Sequence, residues 1–174
     1  TLGYIIDKDL ESYKPLLDII DSSGLKFFHV TGNHVYSVDP KYKRRLPSAY
    51  INKSGYYSFI HKNFRLIFLN GNEISTYSSN NIATIEQANA LLDVLKKKGE
   101  LNSMEWNGAI SNKQIMWFDN QMNEATVKNE KVLIFCHFPV IPENVHNLLN
   151  DKDLLIVLEK YQNTIAWFNG HNHA

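Results

Sequence analysis

The chain has 174 residues, 44% of them hydrophobic and 21% charged, enough apolar material for one domain with a core and too little for two. Eighteen basic and eighteen acidic residues cancel, so no field of one sign draws in a nucleic acid, while a small phosphate compound stays compatible. The single cysteine excludes an internal disulfide and fits a reducing, cytoplasmic compartment, and no apolar run approaches the roughly 20 residues that cross a bilayer.

Thr1–Ile6 reads as the end of a strand. Over residues 9–22, Leu10, Tyr13, Leu16, Leu17, Ile19 and Ile20 recur at helical spacing, and Pro15 fits only the first turn of a helix capped by Ser12. Ser22-Ser23-Gly24 stops that helix, and Lys26–Val30 is expected as the next strand, giving a βαβ unit with a right-handed crossover. From Tyr36 to Ser54 the chain is polar, punctuated by Pro40 and Pro47, with the basic residues Lys41, Lys43, Arg44 and Arg45. It reads as a solvated loop, with a basic lip over a phosphate site as the alternative.

Tyr56–His61 and Phe64–Asn70 read as two strands joined by the tight turn Lys62-Asn63. Residues 71–83 are polar and are expected to be an exposed excursion. Thr84–Lys98 is a helix stopped by Gly99, with Lys96, Lys97 and Lys98 at the negative end of its dipole. Ser111 and Gln114 form a capping box for a third helix whose buried face holds Ile115, Trp117, Phe118 and Met122. A strand over 131–136, a loop with Pro139 and Pro142, a helix over about 151–161 and a final buried strand at Ile165-Ala166-Trp167-Phe168 complete an α/β layered pattern.

Three of these apolar segments run into turns that carry histidine. Phe27-Phe28-His29-Val30 leads to Thr31-Gly32-Asn33-His34, Val132-Leu133-Ile134-Phe135-Cys136 to His137-Phe138-Pro139, and Ile165–Phe168 to Asn169-Gly170-His171-Asn172-His173. Parallel in one sheet, their carboxyl ends would gather Asn33, His34, His137, His171 and His173 at the edge where open α/β sheets keep their ligands. Imidazole nitrogens and an amide oxygen are neutral ligands for Mn²⁺, Zn²⁺ or Fe²⁺, and Gly32 and Gly170 are expected to let the backbone turn sharply there. Cations so held can stabilise the in-line displacement of a phosphoryl group. His34, next to Asn33, is free by its position to point at the leaving group instead, as a general acid or as a cation. His29, His61 and His146 read as hydrogen-bonded structural residues. A structural zinc site does not fit, because the one cysteine, Cys136, lies inside a strand.

Gly32-Asn33-His34, His137-Phe138-Pro139 and Gly170-His171-Asn172-His173 resemble the successive metal-site motifs of the calcineurin-like metallophosphoesterases. Within that superfamily the chain is most similar to the manganese-dependent ADP-ribose/CDP-alcohol diphosphatases. That similarity rests on Leu2-Gly3-Tyr4-Ile5-Ile6-Asp7, Tyr56-Tyr57-Ser58-Phe59 with Phe64–Leu69, and Trp106-Asn107-Gly108-Ala109-Ile110-Ser111 leading to Gln114 and Trp117. The resemblance implies a layered α/β fold, a β-sandwich flanked by helices. It also implies metal-dependent hydrolysis of a phosphodiester or diphosphate bond in a small nucleotide-linked substrate. Carried over by residue, Asn33, His137 and His171 would bind one metal, manganese with zinc or iron as alternatives. His173 would bind the other, and His34 would be catalytic.

Two departures stand against full activity. Tyr4 occupies the position of the aspartate that bridges both metals in the family, and a phenol loses its proton only near about pH 10; Asp7 is not counted as a replacement. The Asp-x-His or Asp-x-Gln pair that the family supplies from an earlier strand is not in this chain. Residues 1–174 are therefore expected to form a single domain that is a piece of a longer one, lacking its first and last strands. At most one cation is expected, and a catalytically inactive relic is the alternative to a hydrolase.

Overall fold

The structure, a computed structural model, describes residues 11–46 and 55–173. Tyr4, Asp7, Pro47 and the strand expected over Thr1–Ile6 lie outside the described residues.

Four strands, β1 (Tyr57–His61), β2 (Phe64–Phe68), β3 (Lys131–Phe135) and β4 (Thr164–Phe168), form one sheet in that order. The hairpin β1–β2 is antiparallel, closed by Lys62-Asn63 with Lys62 at φ 56°. β2, β3 and β4 are parallel. The helices among the described residues are α1 (Tyr13–Ser22), α2 (Ile82–Lys98), α3 (Asn112–Val127) and α4 (Asp151–Leu158). Pro15 does fall in the first turn of α1, and Gly99, at φ 70°, ends α2 as expected.

Alternation along the strands splits the sheet into two unlike faces. Ile67, Val132, Ile134 and Trp167 pack with Phe118 and Met122 of α3 and Leu154 and Val157 of α4 in the main core. The other face carries an aromatic row, one ring per strand at matched register: Tyr57, Phe68, Phe135 and Phe168 stack at centroid spacings of 4.5, 4.7 and 4.9 Å. Such cross-strand pairs hold register, because a one-residue slip would move every ring to the helix-covered face. The α/β layering is as expected; of the sheets of a sandwich, the described residues contain this one.

Several local expectations are corrected. Lys26–Val30 has no regular secondary structure and joins no ladder among the described residues, so the βαβ unit expected there is absent from them. Phe28 instead lays its ring on the aromatic face, 4.3 Å from Phe59, and the parallel partner of β3 is β2. The final strand is not buried: among the described residues β4 is an edge, with Ile165 and Phe168 about half exposed. Residues 36–46 are more than a solvated loop, since two 3₁₀ turns, Asn33–Tyr36 and Pro40–Arg45, bring Tyr36, Val38 and Leu46 into a small core with Tyr13 and Tyr77. The first part of the segment after β2 is buried rather than exposed, while residues 80–83 are exposed as expected. Asn72, Ile74 and Ser75 lie inside, Ile74 pairs with Ala109, and the polar side chains are satisfied by one another, as in Ser75 Oγ to Ser78 Oγ at 2.7 Å.

Only half of the capping box forms. Ser111 Oγ accepts from the Gln114 backbone N–H at 3.2 Å, but the Gln114 side chain turns away to bridge the Asn70 backbone and Glu73. The Glu73 carboxylate takes the Ser111 N–H instead, at 3.0 Å. A strand-end loop and a helix start are thereby fastened together.

Arg65 is a charge inside the fold, 3% exposed. Its Nε donates to Glu130 at 2.8 Å, and its Nη1 donates to Gln121 at 2.6 Å and Glu124 at 3.2 Å. Glu130 is itself buried, whereas Glu124 is half exposed and contributes less. Glu130→Ala strands the guanidinium without its buried counter-charge and is expected to cost about 3–5 kcal/mol, whereas Glu124→Ala is expected to cost under about 1 kcal/mol. Urea unfolding of the two variants checks this; equal losses would show that Glu130 is no special partner.

Candidate metal centre

The parallel strands deliver β3 and β4 to the same edge, and backbone bonds continue past their ends. Cys136 N–H donates to Phe168 O at 3.0 Å, and Gly170 N–H donates to His137 O at 3.1 Å, so His137 and the His171 turn are locked side by side. The third loop arrives by another route. Asn72, just beyond β2, donates through Nδ2 to Thr31 O at 2.6 Å and accepts from Tyr77 O–H at 2.8 Å. This holds Thr31–His34 against the sheet edge although no strand among the described residues precedes it.

Asn33 and His137 meet: Oδ1 and Nε2 are 3.0 Å apart. That is a hydrogen-bond distance, and it is also the spacing of two donors about 2.1 Å from a shared cation and about 90° apart, as in octahedral coordination. The rings of His137 and His171 lie 5.0 Å apart at 61°, with Phe138 edge-on to both. His171 is buried, its Nε2 2.9 Å from Asn107 Oδ1. His34 and His173 are exposed but within electrostatic reach of both inner rings.

Gly32 and Gly170 act differently from expectation. Gly32 has an ordinary extended backbone, φ −87° and ψ 164°. Its lack of a side chain matters because a Cβ there would sit 2.9 Å from His137 Cε1. At Gly170 a Cβ would meet His137 only at 3.6 Å. The left-handed residues of that turn are His171, at φ 68°, and His173, at φ 53°, a conformation that costs on the order of 1–3 kcal/mol each outside glycine.

Burial is the first cause that holds His137 down to about 4, with the charges of His34 and His173 adding to it. Burial likewise takes His171 down to about 3, helped by His137, His146, His34 and His173. Both rings are therefore neutral at pH 7, with a lone pair each. Burial pushes the Cys136 thiol up to about 12, so it stays protonated and is no ligand.

Among the described residues, no group of three or more histidine, cysteine, aspartate or glutamate side chains is arranged to hold a metal ion. The candidate centre therefore depends on the Asn33 amide as its third donor. Two neutral imidazoles and one amide oxygen fit a single borderline divalent cation; they offer no carboxylate to bridge a second.

Two residues here were not legible as site residues. Asn107 stands in the sequence only as part of a motif, with no signal of its contact to His171. His146, read as a hydrogen-bonded structural histidine, packs edge-on to His171 at 5.2 Å, and its buried Nδ1 has no hydrogen-bond partner among the described residues. Beside His34 lies a cavity of about 590 Å³, lined among others by Tyr36, Asp39, Lys43, Tyr77 and Trp106. Lys43 donates to Tyr77 O at its rim. No helix among the described residues is long and apolar enough to cross a membrane.

The structure superposes on a dimetal phosphatase from Danio rerio with a TM-score of 0.78 at 23% identity, covering 94% of this chain and 60% of that one, so the two share a fold. No protein-family model matches the chain.

Curated relatives narrow the resemblance. The chain is 25% identical over 186 residues to the manganese-dependent ADP-ribose/CDP-alcohol diphosphatase of Arabidopsis thaliana, covering 96% of this chain and 60% of the relative. It is 25% identical over 216 residues to the Xenopus laevis protein of the same name, covering 99% and 60%. The likeness read from the motifs thus holds along nearly the whole chain, and the chain spans about 60% of the length of these relatives.

Proposed function

We propose that the protein to which this chain contributes is a metal-dependent phosphohydrolase acting on a small nucleotide-linked diphosphate of the ADP-ribose or CDP-alcohol type, in the cytoplasm. The observation that carries this reading is the meeting of Asn33 Oδ1 and His137 Nε2 at 3.0 Å, with the neutral His171 ring beside them. Asn33, His137 and His171 would hold one divalent cation, manganese by likeness to the relatives, and His173 would face a second. The cation, when bound, lowers the pKa of a coordinated water and polarises a phosphoryl oxygen. His34, exposed at the mouth of the 590 Å³ cavity, would give its proton to the leaving-group oxygen as the P–O bond breaks, while the oxygen of a water that has lost one proton to solvent bonds to phosphorus. The cavity would take the nucleotide-linked part of the substrate, with Trp106 and Tyr77 as apolar walls and Lys43 near the phosphates.

The test is turnover of ADP-ribose and a CDP-alcohol with added Mn²⁺. Loss of a general acid lowers kcat by about 10²–10⁴, so His34→Ala is expected to lose that much while keeping its Mn²⁺ affinity. Equal rates for the parent protein and the variant would overturn the assignment.

A second reading is favoured by Tyr4 in the bridging-aspartate position and by the lack of a carboxylate in the described cluster. It makes the protein a relic that binds one cation and does not hydrolyse. Tyr4→Asp separates the two: a large gain in rate from near zero supports the relic, and a parent protein already as fast as the variant rejects it.

A further inference from the structure

Asn107 is 1% exposed and anchored from two sides. Its Nδ2 donates to Asn102 O at 2.9 Å and to Val145 O at 2.8 Å, which uses both amide hydrogens. Asn102 is buried too and donates to Leu148 O at 2.6 Å, so the support is continuous. Rotating the Asn107 amide by half a turn would press its oxygen against two carbonyl oxygens. Its orientation is therefore fixed, and what it turns toward His171 is an acceptor.

We infer that Asn107 is a positioning residue that fixes His171 as the Nε2–H tautomer and so leaves the Nδ1 lone pair free for a ligand. Nε2 lies 2.9 Å from Asn107 Oδ1, and only a protonated Nε2 turns that contact into a bond rather than two facing lone pairs. An outer acceptor that sets the tautomer of an imidazole ligand also sets the ring's angle and raises its basicity. Val145, held by the same amide, precedes His146, so Asn107 also seats the ring that packs against His171. The ligand role of His171 rests on the function proposed above; the tautomer does not.

Long-range ¹H–¹⁵N correlation spectra of the metal-free protein at pH 7.5 read the tautomer directly. The parent protein is expected to show His171 protonated on Nε2. Asn107→Leu is expected to shift His171 toward Nδ1–H and to weaken Mn²⁺ binding, followed by Mn²⁺ electron paramagnetic resonance, by roughly 10–100-fold. A parent His171 protonated on Nδ1 overturns the inference even if the leucine variant does not fold. So does a folded leucine variant that keeps the Nε2–H form. A parent protein with the expected tautomer and no Mn²⁺ affinity leaves the inference standing and removes the proposed function instead.

Discussion

Gly32→Ala is expected to lower Mn²⁺ affinity and turnover by about 100-fold without removing any ligand, the scale at which a displacement of about 1 Å at a reacting site is felt. The new Cβ would lie 2.9 Å from His137 Cε1, 3.1 Å from Nδ1 and 3.2 Å from Nε2. Real side chains do not tolerate the closest of these, so either the His137 ring or the loop that carries Gly32 and Asn33 must shift. Gly170→Ala is the matched control. Its Cβ would meet Nδ1 of the same ring at 3.6 Å, ordinary contact, and no positive φ is required there. It is expected to bind Mn²⁺ within a factor of a few of the parent. Calorimetric titration of both variants decides the point: equal affinities would show that the approach of the loop to His137 does not set the site.

Acidification from pH 7 to pH 5 is expected to cost the folded state about 2–4 kcal/mol through His137 and His171. In the unfolded chain both rings titrate near 6.5, whereas in the folded protein burial depresses them to about 4 and about 3. The unfolded state therefore binds more protons throughout this window, and stability falls as pH falls. The stabilisation is fully present above about pH 6.5 and is lost progressively toward pH 4 and below. Partial solvent access to His137 is the reason for taking less than the full value for two enclosed rings. Bound cation adds to the slope, because protons compete for the same lone pairs. Urea midpoints at pH 7 and pH 5 for the metal-free protein and for His171→Gln give the check: the drop should shrink by about half in the variant. A parent midpoint unchanged between the two pH values would mean that these imidazoles are solvated.

The features legible in the sequence are those decided within a few residues. Gly99 ends α2 because glycine accepts φ 70°. Ser111 starts α3 because its hydroxyl reaches the Gln114 N–H. Lys62-Asn63 closes the hairpin, and the apolar segments that run into His137 and His171 are strands because alternate residues enter one core. Local apolarity misled where pairing mattered. Lys26–Val30 has the composition of a strand, yet the place beside β3 went to β2, and Phe28 found its burial by stacking on Phe59. The segment after β2 has the composition of an exposed loop, yet its amides and hydroxyls satisfy one another and can be buried at little cost.

The sequence by itself determined the four helices and the four paired strands of the described part and which turns carry histidine and asparagine, since period, caps and turn residues act on near neighbours. It also carried the resemblance to the metallophosphoesterases. Only the tertiary structure decided that Asn33 meets His137 across 104 positions and His171 meets Asn107 across 64. The same holds for the depressed basicity of the two rings and for the role of Gly32 as clearance rather than as a hinge. Each of these depends on which strands lie side by side and on what water they exclude, and that is settled by the sheet order and the packing of the whole core.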